Sequence, residues 1–339
     1  MTGKPLRAAV VGAGSWGTTL ALVLDRNGHE TCLWSFEEEV VQEVRAHGEN
    51  RSYLPGVDLP SSLRVTSSMQ EALAGAELVV SVSPAQHVRQ VMAGAAPHLT
   101  GETLVVSASK GIEIATLETM DQVLDEVLPR EVMEGFAVLS GPSFALEVAR
   151  ELPTAVVAAS SSEGVRLRVQ EVFSSSSFRV YTNDDVVGVE LGGAVKNVIA
   201  LAAGVAAGLG AGHNTMAALI TRGLAEIRRL GVAMGARPAT FSGLAGMGDL
   251  VLTCTGELSR NRTVGYRLGR GESLNGILGD MKAVAEGVRT TPAVYALAER
   301  HEVEMPIVAQ VHAILEGRTR PADALQELMQ RDPKPEDWS

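Results

Sequence analysis

The string Gly12-Ala13-Gly14-Ser15-Trp16-Gly17 stands directly after the apolar run Ala8 to Val11 and opens a helical pattern from Thr18 to Asn27. Strand, glycine turn and helix in that order is the context in which this otherwise common spacing holds a dinucleotide. Gly12 permits the tight turn, Gly14 lets the backbone approach a pyrophosphate, and Gly17 lets helix and strand pack closely. The anion then rests on free N–H groups at the positive end of the helix dipole. The alternative is a glycine turn without a ligand; the flanking strand and helix argue against it.

Short β-branched runs alternate with helical patterns through the first half: Ala8 to Val11, Glu30 to Trp34, Leu63 to Thr66, Leu78 to Val82, Thr103 to Ser107 and Phe136 to Leu139. That rhythm builds a parallel sheet with crossover helices. Thr154 to Ala158 and Phe178 to Tyr181, flanking a helix from Ser162 to Phe173, extend the same sheet. After Asn183 the strand signal fades and Ala, Leu, Glu and Arg recur at helical spacing, with glycines such as Gly210 and Gly256 as punctuation. Thr240 and Ser242 sit near one helix start, and Pro292 is placed in a first turn after Thr290 and Thr291. The expected fold is therefore α/β: a Rossmann-type doubly wound, mainly parallel sheet over 1–182, an all-helical domain over 183–330, and a polar, disordered tail over 331–339.

A chain of 339 residues is too long for one ordinary core. Its net charge of −11 excludes a broad nucleic-acid or anionic-membrane surface, so an anionic ligand must be held by a few local cations. Cys32 and Cys254 lie far apart in apolar stretches, which predicts buried free thiols and a cytoplasmic protein. Lys4, Arg7 and the run to Leu24 imitate a secretory signal, but the glycine pattern lies inside that run. The uncharged stretch Asn197 to Thr221 carries Asn197, His213, Asn214 and Thr215, which suits one helix buried in the second domain rather than a membrane span.

Within Leu191-Gly192-Gly193-Ala194-Val195-Lys196-Asn197-Val198-Ile199-Ala200 there is a single charge, Lys196. A lysine stripped of hydration loses protons more readily, and reduction of a ketone leaves an alkoxide that needs a proton, so Lys196 suits a general acid; the alternative is a lysine reaching out to solvent. Ser107-Ala108-Ser109-Lys110-Gly111 ends a predicted parallel strand, where open α/β sheets bind ligands, and Ser259-Arg260-Asn261-Arg262 offers donors suited to phosphate. Taken singly, Lys110 and the arginine pair read as surface cations. Glu37 follows the second strand about 20 residues after the last glycine, where an acid meets the 2′-hydroxyl of an adenosine ribose. It reads equally well as a solvated helix-start residue, with Arg45 or Arg51 folding back to supply positive charge.

The strings GAGSWGTTLA at Gly12, SGPSFALEVA at Ser140, ELGGAVKNVIA at Glu190, TRGLAEI at Thr221, GLAGMGDLVLTC at Gly243 and SRNR at Ser259 resemble the NAD(P)-dependent glycerol-3-phosphate dehydrogenases, in order and over about residues 8 to 316. The resemblance implies a Rossmann domain and a helical domain with the active site between them. It implies reduction of dihydroxyacetone phosphate to sn-glycerol 3-phosphate for phospholipid synthesis, with NADH or NADPH as cofactor. By motif, Lys196 would transfer the proton. Lys110, Gly141, Ser143, Asp249, Ser259, Arg260 and Asn261 would line the substrate. Gly12, Gly14, Ser15, Trp16, Gly17, Lys110, Ala145, Arg260, Val284 and Glu286 would hold the cofactor. No metal is implied. Ser35 and Phe36 stand where relatives commonly carry a basic residue or His, which bears on NADPH preference and not on the reaction. Taken without the family, Asp249 reads as a helix cap and Trp16 as packing on the sheet.

Two other readings remain open at this level: another 3-hydroxyacid dehydrogenase of similar two-domain plan, and a non-catalytic module that senses NAD(H). The partner expected is a small phosphorylated substrate, with neither nucleic acid nor membrane insertion; a homodimer is compatible with the sequence.

Overall fold

The computed structural model describes residues 4–281 and 285–336. The chain divides into two compact units, one of Met1–Lys110 with Glu118–Val186, the other of Gly111–Leu117 with Val187–Ser339.

The first unit is built on eight strands: β1 (Arg7–Val11), β2 (Glu30–Trp34), β3 (Arg64–Thr66), β4 (Leu78–Ser81), β5 (Leu104–Ser107), β6 (Phe136–Ser140), β7 (Thr154–Ala159) and β8 (Phe178–Asn183). They lie in the order β3-β2-β1-β4-β5-β6-β7-β8, so the chain reverses direction of travel beside β1. A doubly wound sheet binds ligands at that switch point. Central strands such as Val79-Val80 and Val105-Val106 are buried on both faces, as parallel strands under two helical layers must be. One face packs the helix Ser15–Arg26, with Leu20, Leu22 and Leu24 fully buried against Val10, Val80 and Val106. β7 runs antiparallel to β6. Only the five-residue helix Ala145–Ala149 lies between them, about 8 Å of rise, too short to recross a strand of about 17 Å.

The second unit contains no strand among the described residues, and its core is made by Val186–Gly208, His213–Ala233, Arg260–Gly269, Glu286–Arg300 and Pro306–Leu315. Val186–Gly208 is long and apolar enough to cross a membrane, yet 89% of that apolar window is buried within the protein. The single helix expected over Asn197 to Thr221 is in fact two, parted at Gly210, whose φ of +83° ends the first. Pro292 also differs from expectation: it lies inside Glu286–Arg300, and Thr291 just before it donates its hydroxyl to the Gly287 carbonyl at 2.6 Å. The expected disordered tail is tied down as far as Glu336. Arg331 and Lys334 pair with Glu304, and Arg222 donates to the Glu336 carbonyl at 2.9 Å. Residues 337–339 lie outside the described residues. Both cysteines are free and buried, and burial pushes the Cys254 thiol up to about 12.

Glu226, 1% exposed, accepts from the backbone N–H groups of Ile307 at 2.8 Å and Val308 at 3.2 Å, and so caps the Pro306–Leu315 helix from another element. Burial pushes its carboxyl up from 4.5 to about 7 against those two bonds. A folded value above the unfolded one means that the native state holds the proton more tightly. The contribution is complete below about pH 4.5 and is lost as the pH rises through about 7. Glu226→Gln is expected to remove a fall in unfolding free energy on the order of 3 kcal/mol over that window. Urea melts at stepped pH check this, and variant and wild-type profiles that run parallel would contradict it.

Candidate active site

In the first unit the glycine turn is held by contacts that admit no side chain. Gly12 has φ +128°, and a Cβ on Gly17 would lie 1.8 Å from the Gly12 carbonyl oxygen and 2.8 Å from Cγ1 of Val82. A Cβ on Gly14 would meet nothing within 4 Å, and Gly14 is the N-cap of Ser15–Arg26 with no side-chain cap. The turn is thus pinned from inside the protein and open in front, with the first-turn N–H groups uncapped. Asn50, fully buried, donates to the Ala13 carbonyl at 2.9 Å and to Thr18 Oγ1 at 2.8 Å, and its Oδ1 accepts from the Tyr53 N–H at 3.1 Å. Ser15 Oγ donates to the Tyr53 carbonyl at 2.5 Å. Neither Asn50 nor Tyr53 is singled out by the sequence. Trp16 packs 6.4 Å from Phe178, and its indole Nε1 is buried without a protein partner.

The carboxyl ends of β1, β4 and β5 are laced by hydroxyls: Ser83 Oγ donates to the Val11 carbonyl at 3.4 Å and Ser109 Oγ to the Ser83 carbonyl at 2.6 Å. The next residue, Lys110, donates to the Gly141 carbonyl at 3.1 Å, which also accepts from Ser143 Oγ at 3.0 Å. Lys110, Gly141 and Ser143 therefore form one cluster at the edge where the sheet's parallel strands end. Ala145, first residue of its short helix, accepts at its carbonyl from Thr19 Oγ1 at 3.1 Å, which ties it to the Ser15–Arg26 helix.

In the second unit Lys196, 7% exposed, donates to Asp249 Oδ1 at 2.6 Å and to Thr253 Oγ1 at 2.8 Å. The lysine that looks isolated in sequence has a carboxylate partner 53 residues away. The local geometry follows from spacing. Lys196 stands one turn after Gly192, Asp249 one turn after Ala245, and a Cβ on Gly192 would lie 2.6 Å from the Ala245 carbonyl oxygen. Close backbone approach at Gly192 therefore brings the two charged residues face to face. A π turn, Leu244–Gly248, delivers Asp249 as the first residue of Asp249–Thr255, and Thr253 falls on the same face one turn on. Asp249 does not cap that helix, whose N-cap is Gly248. Thr253 is a further residue that sequence reading missed.

Ser259 is the N-cap of Arg260–Gly269 and accepts from the Arg262 N–H at 3.2 Å. Arg260 is exposed; partial desolvation lowers its guanidinium from the ordinary value, Glu286 opposes that shift, and it stays charged at neutral pH. Burial raises the Glu286 carboxyl, and Arg260 and Arg289 oppose it. Asn261 joins three helices, donating to Asn197 Oδ1 at 2.9 Å and accepting from the Gly287 N–H at 2.9 Å. Val284 lies outside the described residues.

Both halves of the chain are similar to known proteins. The N-terminal region of NAD-dependent glycerol-3-phosphate dehydrogenases matches residues 7–165 and their C-terminal region matches residues 185–326. A glycerol-3-phosphate dehydrogenase (NAD(P)+) of Geobacter sulfurreducens is 58% identical over 332 residues, 98% of this chain and 99% of the relative. One from Syntrophotalea carbinolica is 55% identical over 331 residues, again 98% and 99%. The crystal structure of a glycerol-3-phosphate dehydrogenase from Coxiella burnetii superposes with a TM-score of 0.91 at 41% identity, covering 96% of this chain and 99% of that one. In both its halves and along nearly its whole length, the chain belongs to the NAD-dependent glycerol-3-phosphate dehydrogenase family.

Proposed function

We propose that the protein reduces dihydroxyacetone phosphate to sn-glycerol 3-phosphate with NADH or NADPH, in the cytoplasm, and that the product feeds glycerophospholipid synthesis. The observation that carries the reading is the buried Lys196–Asp249–Thr253 cluster, in a chain whose first unit bears a dinucleotide turn pinned behind and open in front. The glycine turn fits a dinucleotide: Gly12, Gly14 and Gly17 with the N–H groups at Ser15 and Trp16 would hold its pyrophosphate. The family strings assign its further contacts to Ala145 in the first unit and to Arg260 and Glu286 in the second. When bound, the reduced nicotinamide supplies the hydride.

Lys196 holds a proton at Nζ, and Asp249 and Thr253 fix the direction of that group. As the carbonyl carbon becomes an alcohol carbon, Nζ gives its proton to the carbonyl oxygen. The neutral amine then recovers a proton from solvent. Lys110, Gly141 and Ser143 bind the substrate, as do Ser259, Arg260 and Asn261, and Arg260 contributes a forked donor to phosphate. A module that only senses NAD(H) would leave the buried ion pair without a task.

Steady-state assay of dihydroxyacetone phosphate with each cofactor tests the reading at the nicotinamide absorbance. No oxidation of either cofactor would overturn it. Arg260→Ala is expected to raise KM for the phosphorylated ketone and to cost roughly 2 to 4 kcal/mol in kcat/KM. Arg260→Lys should recover only part, because the forked geometry is missing. Unchanged kinetics in both variants would move phosphate binding to Lys110 or Arg262.

A further inference from the structure

The end of β2 carries a constellation that the reaction does not use. Glu37, exposed to solvent, accepts from the Tyr53 hydroxyl at 2.8 Å and from Ser35 Oγ at 3.4 Å. It is therefore more than a solvated helix start. Tyr53 is itself a strut fixed at both backbone ends to the dinucleotide turn, its N–H on Asn50 Oδ1 and its carbonyl under Ser15 Oγ. Burial and then the bond to Glu37 raise the Tyr53 hydroxyl above its ordinary value, so it remains a donor at physiological pH.

The two arginines that the sequence offers for a 2′-phosphate here have other partners. Arg45 Nη2 donates to the Val65 carbonyl at 3.1 Å, and Arg51 Nε pairs with Glu49 at 3.0 Å. Phe36, between β2 and Glu37, presents a ring that is 79% exposed, braced edge-on against Trp34 at 6.4 Å. A phosphate at this point would meet a carboxylate and an apolar ring. A hydroxyl would meet an acceptor already aimed.

We propose that Tyr53 is a positioning residue that sets cofactor specificity: its hydroxyl fixes the Glu37 carboxylate at the end of β2, so that the protein binds NADH more tightly than NADPH. This rests on the dinucleotide reading above, in which the glycine turn holds the pyrophosphate. Tyr53→Phe deletes the hydroxyl alone and keeps the backbone strut. A carboxylate released from its donor discriminates less well, because its orientation is no longer fixed before the cofactor arrives.

The test is equilibrium binding of NADH and NADPH, by calorimetry and nicotinamide fluorescence, with no substrate present. Wild type is expected to favour NADH. Tyr53→Phe should shrink the ratio of the two dissociation constants by about three- to tenfold, the size of one lost hydrogen bond of ordinary net strength at an exposed site. Glu37→Gln should shrink it at least as much, and adding Tyr53→Phe to Glu37→Gln should shift it no further. A wild type that favours NADPH overturns the proposal. So does a Tyr53→Phe protein in which both constants move in parallel, or a Tyr53→Phe shift that persists once Glu37→Gln is in place. Failure of the dinucleotide reading itself looks different, since neither cofactor would then bind.

Discussion

Lys196→Met is expected to lower kcat by about 10² or more while the variant still binds cofactor, since a residue of similar length replaces the proton donor. The structure adds a second expectation. Asp249 is 1% exposed, and removal of Lys196 takes away the cation that pairs with its buried carboxylate at 2.6 Å, which costs about 3 to 5 kcal/mol of stability. Low activity alone would therefore be ambiguous. Combining Lys196→Met with Asp249→Asn removes the stranded charge, so unfolding in urea should recover most of the loss while turnover stays down. Retention of more than about half the wild-type kcat in the single variant contradicts proton transfer from Lys196.

Gly204→Ala should destabilise the second unit by about 3 kcal/mol or more, at the upper end of what overpacking costs. The helices Val186–Gly208 and Arg260–Gly269 meet backbone to backbone. A Cβ on Gly204 would lie 2.1 Å from the Arg262 carbonyl oxygen and 2.7 Å from the Tyr266 nitrogen; one on Gly265 would lie 2.1 Å from the Leu201 carbonyl oxygen. Gly208 and Gly269, one turn on in each helix, repeat the contact at 2.3 Å from the Tyr266 carbonyl oxygen and 2.4 Å from that of Val205. No side chain is there to swing aside, so the helices themselves must part. Gly279→Ala is the control: nothing lies within 4 Å of its Cβ, and helix propensity favours alanine, so its stability should hold or rise slightly. Denaturant melts compare the two, and equal midpoints would contradict the close contact.

The features legible in sequence are those written into a local period or a local backbone demand. The strand from Glu30 to Trp34 appears with both predicted ends, and the glycine turn announces its strand and its helix. The family strings name Lys196, Arg260 and Asp249, but not the bond from Lys196 to Asp249, because no local pattern links residues 53 apart. Asn50 and Tyr53 escape for a similar reason: they act through backbone groups of the turn from a segment that shows only proline and glycine punctuation. Pro292 departs from the rule that a proline opens a helix, because that rule says nothing of a helix that has already run since Glu286. The tail reads as disordered from its polarity; its order comes from ion pairs to Glu304, a distant residue.

Close approach at Gly192 also limits how this protein can be altered. Because the Ala245 carbonyl rests where a side chain would stand, the segment bearing Lys196 and the one bearing Asp249 are set in register at that touch. An insertion of one residue between Gly192 and Lys196, or between Ala245 and Asp249, would turn one member about 100° away from its partner and leave both charges buried and apart. Anyone grafting this proton-transfer pair into another helical scaffold must therefore move the two strings as one piece, with their glycine and their π turn.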